Sequence, residues 1–141
     1  MISMNMLRLS GNKQLGYNDK ILLEYCIKIT KTEYTSRITN RDYVRYKIKF
    51  PGELRKVLVD VDYLFFSCVE NCVHIGTVEG SGVVYRSKIQ KYCHEGRVEY
   101  NLYLSKKVFD LDVGDYFYWK VWVEDNRLVE SVAVIVDDVF L

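Results

Sequence analysis

Apolar and polar residues alternate with a period of two along most of this chain, the pattern of half-buried β-strands. Tyr25, Ile27 and Ile29 interleave with Lys28, Thr30 and Lys31, and the same alternation returns from Val84 to Lys91. After each stretch comes a polar loop, Thr32 to Asp42 or Tyr92 to Arg97, and then a second strand, Tyr43 to Phe50 or Val98 to Leu104. Each strand, loop and strand makes a hairpin with a projecting tip.

The period then changes. Pro51 supplies the backbone angle of a first helical position, and Leu54, Val57 and Leu58 follow on one helical face. Ser105 is a good N-cap, with Val108 and Leu111 three apart behind it. Two short helices are therefore expected, ended by Val59 to Asp62 and by Asp112 to Asp115, where Gly114 is read as giving a tight turn its freedom. A closing hairpin follows each: Tyr63–Cys68 with Cys72–Val78, and Tyr116–Val123 with Arg127–Val136, around the turn residues Val69-Glu70-Asn71 and Glu124-Asp125-Asn126.

The two halves are thus one unit written twice. Val44-Arg45-Tyr46-Lys47-Ile48 matches Val98-Glu99-Tyr100-Asn101-Leu102, and Asp62-Tyr63-Leu64-Phe65-Phe66 matches Asp115-Tyr116-Phe117-Tyr118-Trp119. A unit of roughly 50 residues cannot bury its apolar face alone, so the copies are expected to pair into one domain with an internal two-fold. The boundaries read as an N-terminal extension over 1–23, with Met4 to Leu9 as a candidate edge strand, a domain over 24–136, and a tail over 137–141. Within the domain the repeats cover about 24–78 and 83–136, joined by Glu79-Gly80-Ser81-Gly82.

Twelve Tyr and one Pro strengthen the strand reading. Val132 to Val136 is the longest apolar run, far short of the ~20 residues of a membrane span. With no signal-peptide pattern at Met1 to Leu9, a cytoplasmic protein without membrane contact is expected. Cys26, Cys68, Cys72 and Cys93 are unevenly spaced, so no disulfide framework is read from them. Zinc could be drawn from Cys68, Cys72, His74, Cys93 and His94, but the close pair lacks a matching second pair. No metal and no cofactor is expected. With no nucleophile beside a base and no glycine-rich phosphate loop, neither is an enzyme.

Charge changes the picture. The net charge is only +1, yet Lys28 to Lys49 holds seven basic residues against Glu33 and Asp42, and Arg86 to Arg97 holds four against Glu95. The two arms carry +8 together, leaving −7 elsewhere, the footprint of a face that meets a polyanion. Alternating charge also solvates the outer side of any strand, which is the simpler account of a single Lys. Clustering in both arms favours duplex DNA as the partner, held by Lys28, Lys31, Arg37, Arg41, Arg45, Lys47, Arg86, Lys88, Lys91 and Arg97.

The ordered set resembles the AbrB/MazE/SpoVT-type swapped-hairpin DNA-binding family. The residues that carry the likeness are Lys88-Ile89-Gln90-Lys91, Gly96-Arg97-Val98, Leu102 to Val108 and Leu111-Asp112-Val113-Gly114-Asp115, with Phe50-Pro51-Gly52-Glu53-Leu54-Arg55 in copy one. Ser105 stands where the family usually has Pro, and Val61 where it has Gly. The resemblance implies a mainly β fold, a swapped-hairpin barrel formed by two tandem repeats in one chain as a pseudo-dimer, and a transcription regulator. It also implies that Arg97 and Lys91, with Lys31 and Arg41 or Arg45, contact DNA. The competing expectation is a protein-interaction module, antitoxin-like or a viral or plasmid accessory protein, with a protein partner or higher oligomer. The short tail after Val136 weighs against the antitoxin form.

Overall fold

The computed structural model describes residues 20–137. Met4 to Leu9 and residues 138–141 lie outside them. The chain is mainly β, with two antiparallel sheets. Repeat one supplies β1 (Ile21–Lys28), β2 (Thr30–Thr35), β3 (Asp42–Lys49), α1 (Gly52–Val57), β4 (Tyr63–Val69) and β5 (Cys72–Gly76). Repeat two supplies β6 (Tyr85–Lys88), β7 (Gln90–His94), β8 (Arg97–Leu104), β9 (Tyr116–Glu124) and β10 (Arg127–Val136).

The strand order is β1-β9-β10-β5-β4-β6 in one sheet and β2-β3-β8-β7 in the other. Both orders map onto themselves when the repeats are interchanged. β1 pairs along its whole length with β9 of the other repeat, Ile21 opposite Val123 through Lys28 opposite Tyr116, and β6 pairs with β4. The repeats also meet at β3–β8 and at β10–β5, where Ser131 Oγ donates to the Ile75 carbonyl at 2.6 Å.

The expected barrel does not close. β1–β2 and β6–β7 are each one extended segment that changes sheet, at Ile29 and at Ile89. There the Ile29 N–H donates to the Asp115 carbonyl and the Ile89 N–H to that of Asp62, both at 2.8 Å. Segments that switch sheets turn the corners of a two-sheet packing. Because of that switch, β1 and β6 end up at opposite edges of the six-stranded sheet and do not pair with each other.

Period-two alternation sends every second side chain inward. Ile48 and Leu102 from one sheet, and Phe66, Ile75, Phe117 and Trp119 from the other, join a single apolar core that also contains Leu54, Leu58 and Phe109. Phe117, Trp119, Phe50 and Phe109 meet edge-on, with centroids 5.4–5.5 Å apart in three pairs. The aromatic runs Tyr63 to Phe66 and Tyr116 to Trp119 are therefore only partly core: Tyr63, Phe65 and Tyr118 alternate to the other face.

Of the two expected helices, only α1 forms among the described residues. It follows Pro51 and buries Leu54. The counterpart from Ser105 is a string of turns. Ser105 Oγ accepts the Lys107 N–H at 3.1 Å, as a helix N-cap does, but Asp110 Oδ1 accepts that of Asp112 at 3.3 Å, a donor that a continuing helix would give to the Val108 carbonyl. Val108 is partly buried there, and Phe109 and Leu111 still reach the core. Gly114 also has a different reason from the one its sequence context suggests. Its φ is not positive. A Cβ there would run into the Val136 carbonyl and come within 2.8 Å of the Asp137 nitrogen, so glycine is required by close backbone approach.

Candidate nucleic-acid interface

The arms are the two hairpins of the four-stranded sheet. In arm one, Thr30 pairs with Lys47 through to Thr35 with Asp42, and a loop over 36–41 closes it. In arm two, Gln90 pairs with Asn101 through to His94 with Arg97, and Glu95-Gly96 close it with both φ positive, 50° and 77°. Such two-residue turns match the twist of antiparallel strands. β2 is exposed at every position and β7 at all but Gln90, so both arms stand clear of the core.

Register then sorts the side chains, because residues opposite each other in an antiparallel pair share a face. On the core side lie Tyr46, Ile48, Tyr100 and Leu102, continuing outward to Lys31, Glu33, Asp42 and Lys91. On the other side lie Arg45, Lys47, Lys49, Arg97 and His94, with Tyr34, Tyr43, Tyr92 and Tyr103. Glu99 is the one carboxylate on the strands of this outer face, and Lys49 faces it at 3.5 Å.

The outer face is organised around Arg45. Its guanidinium lies 4.8 Å from the Tyr34 ring centroid and 5.2 Å from that of Tyr103, and Tyr34 stacks on Tyr43 at 5.5 Å. Hydrogen bonding and charge interaction with Tyr34, and after it with Tyr103, hold the Arg45 pKa above its ordinary value. Beside Lys49 and Gln90, Asn101 is buried, and its side-chain oxygen has no hydrogen-bond partner.

The ten basic residues singled out from sequence divide by place. Arg45, Lys47 and Arg97 share the outer face, and Arg37 and Arg41 sit in the arm-one loop. Lys31 and Lys91 are on the reverse side, each bridging to the other repeat: Lys31 to Asp115 at 3.5 Å and Lys91 to Asp62 at 3.6 Å. Lys91 also donates to the Val59 carbonyl at 2.9 Å. Both ammonium groups lie over a tyrosine of their own repeat, Tyr46 or Tyr100. Lys28, Arg86 and Lys88 belong to the six-stranded sheet, where Lys28 lies over Tyr116 and Arg86 over Tyr63. Lys49, Tyr34, Tyr43 and Tyr103 were not singled out, and only the register puts them beside Arg45.

The cysteines are free, and burial pushes the Cys26 thiol pKa up. Cys68 and Cys72 lie on β4 and β5, while Cys93 and His94 are on arm two in the other sheet. No group of three His, Cys, Asp or Glu able to hold a metal ion occurs among the described residues. No described helix is long and apolar enough to cross a membrane. Neither a family model, nor a curated protein, nor a solved structure matches the chain.

Proposed function

We propose that the protein binds duplex DNA through the outer face and arms of the four-stranded sheet, as a regulatory or architectural protein of the cytoplasm and not as an enzyme. One observation carries this reading: β3–β8 pairing puts both arms in one sheet, and the strands of its outer face hold Arg45, Lys47, Lys49 and Arg97 against a single Glu99. A two-stranded ribbon fits the major groove, ~12 Å wide, and Arg pairs bidentately with guanine there. Two arms related by a pseudo-two-fold suit the pseudo-symmetry of a duplex. The exchange of β1 and β6 between repeats supports a swapped-hairpin pseudo-dimer of the AbrB type.

The test is titration of duplex DNA against salt. Binding should weaken steeply, because each phosphate neutralised releases counterions. A second reading, docking of a protein partner, has its own support in the six-stranded sheet, where Trp122, Val132 and Val134 are half-buried on the face away from the core. Absence of duplex binding at low salt would shift the preference to it.

A further inference from the structure

We propose that Ile38 is a wedge that enters a base step of bound duplex and kinks it from one side only. The inference rests on the duplex-binding reading and adds a deformation to it. Ile38 is 95% exposed, the most exposed of the large apolar side chains described, and it sits in the loop of the longer arm. Isolated exposed apolar residues are common and need no explanation in themselves. The way this one is held is what carries the argument.

The loop satisfies its own polar groups. Ser36 N–H donates to the Arg41 carbonyl at 2.9 Å and Asn40 N–H to the Ser36 carbonyl at 2.8 Å. Ser36 Oγ accepts the N–H of Ile38 at 3.2 Å and of Thr39 at 3.3 Å. Asn40 takes a left-handed φ of 56°, and below the loop Thr35 Oγ1 donates to Asp42 Oδ1 at 2.6 Å. The Thr39 and Tyr43 hydroxyls are 3.0 Å apart. A loop tied this way presents a β-branched side chain of few rotamers to solvent instead of folding it back on the arm.

Arg37 and Arg41 flank it, and neither makes an ion pair among the described residues. An apolar side chain between cations at the end of a β-ribbon has the chemistry of side chains that unstack a base step while neighbouring cations hold the phosphates. A peptide groove would take the isoleucine equally well but has no use for the two arginines that the same loop carries without ion pairs among the described residues. Arm two ends in Glu95-Gly96 and has no such tip, so the kink should be off-centre.

The test uses the full chain and an end-labelled duplex of about 30 base pairs, with 2-aminopurine moved along it. The wild-type protein should raise energy transfer between the ends by a bend within about 20–90° and brighten 2-aminopurine at one off-centre step. Ile38→Ala should lose most of both signals while still binding, and Ile38→Leu should restore them. Since Ile38 is fully exposed, unchanged thermal unfolding of both variants shows that the fold is intact. If wild type and Ile38→Ala bind and give equal energy transfer and equal 2-aminopurine signals, the wedge is overturned and duplex binding stands. If wild type does not bind duplex at low salt, both are overturned.

Discussion

At the roots of the arms the two repeats share one pattern: Ile29 donates to Asp115 and Ile89 to Asp62, and Lys31 and Lys91 bridge to those same two residues. Away from the roots they diverge. Arm one ends in a loop over 36–41 and arm two in Glu95-Gly96, while α1 in repeat one is answered by turns after Ser105. The roots are constrained because each repeat's extended segment is held there by the other repeat, so a change on one side must fit the partner. Tips and bridging segments face solvent on at least one side and can differ at little cost. Symmetry in this chain follows the exchange of strands, and asymmetry lies in the arm tips and the bridging segments.

The bridging segments give the largest expected effects. Leu54 in α1 and Phe109 in the turns are both buried, so Leu54→Ala should cost about 2–5 kcal/mol and Phe109→Ala about 3–5 kcal/mol by denaturant unfolding. Comparable losses would show that the turns carry as much core as the helix. A loss below about 1 kcal/mol at Phe109 would break that equivalence. Next come the equivalent positions Gly114 and Val61. Gly114→Ala forces a methyl against the Val136 carbonyl and should cost about 1–3 kcal/mol, whereas Val61→Ala, which only trims a partly buried side chain, should cost less.

A smaller, pH-dependent difference belongs to β1 alone. Tyr118 donates to the largely buried Glu24 carboxylate at 2.8 Å, and the position equivalent to Glu24 in repeat two is the exposed Val84. Burial first, then the hydrogen bond to Glu24, pushes the Tyr118 pKa up to about 12. An unfolded tyrosine titrates near 10, so the unfolded chain loses this proton first. Stability from the raised pKa is therefore whole below pH ~10 and is lost as pH rises toward about 12. Unfolding measured across that window should show a decline that is shallower in Tyr118→Phe.

The smallest effects should come from the root bridges. Lys31, Asp115 and Asp62 are about half exposed or more and the Lys91 side chain is 26% exposed, and double-mutant cycles on Lys31/Asp115 and Lys91/Asp62 should give about 0–1 kcal/mol each. Lys91 should show the larger single-mutant loss, because it alone also bonds the Val59 carbonyl.

Much of the β architecture was legible in the sequence, because the alternation of Tyr25, Ile27 and Ile29 and of Tyr46 and Ile48 is a local property of strands. Other features were not local. Ser105 caps the first turn after it as its type suggests, but the Asp110 side chain takes the Asp112 N–H that a longer helix would use, and spacing cannot show that. Gly114 looks like a turn glycine until Val136, from the end of β10, is brought against it. Two open sheets instead of a barrel depend on where Ile29 and Ile89 bend. Among the candidate site residues, charge marked the arms but could not tell Arg45, on the outer face, from Lys31, tied to Asp115 behind it. That distinction needs the register, which also brings Tyr34 and Tyr103 to either side of Arg45.

The most direct test of the central claim compares the two faces of the four-stranded sheet by duplex binding at several salt concentrations. Replacing Arg45, Lys47 and Lys49 by Ala on the outer face should weaken binding to every sequence and reduce the salt slope by about 0.9 for each phosphate no longer neutralised. Replacing Lys31 and Lys91 on the reverse face should leave that slope nearly unchanged. A fall in affinity and slope only in the outer-face variant is the predicted result; equal falls in both variants, or wild-type binding by the outer-face variant, would contradict the account.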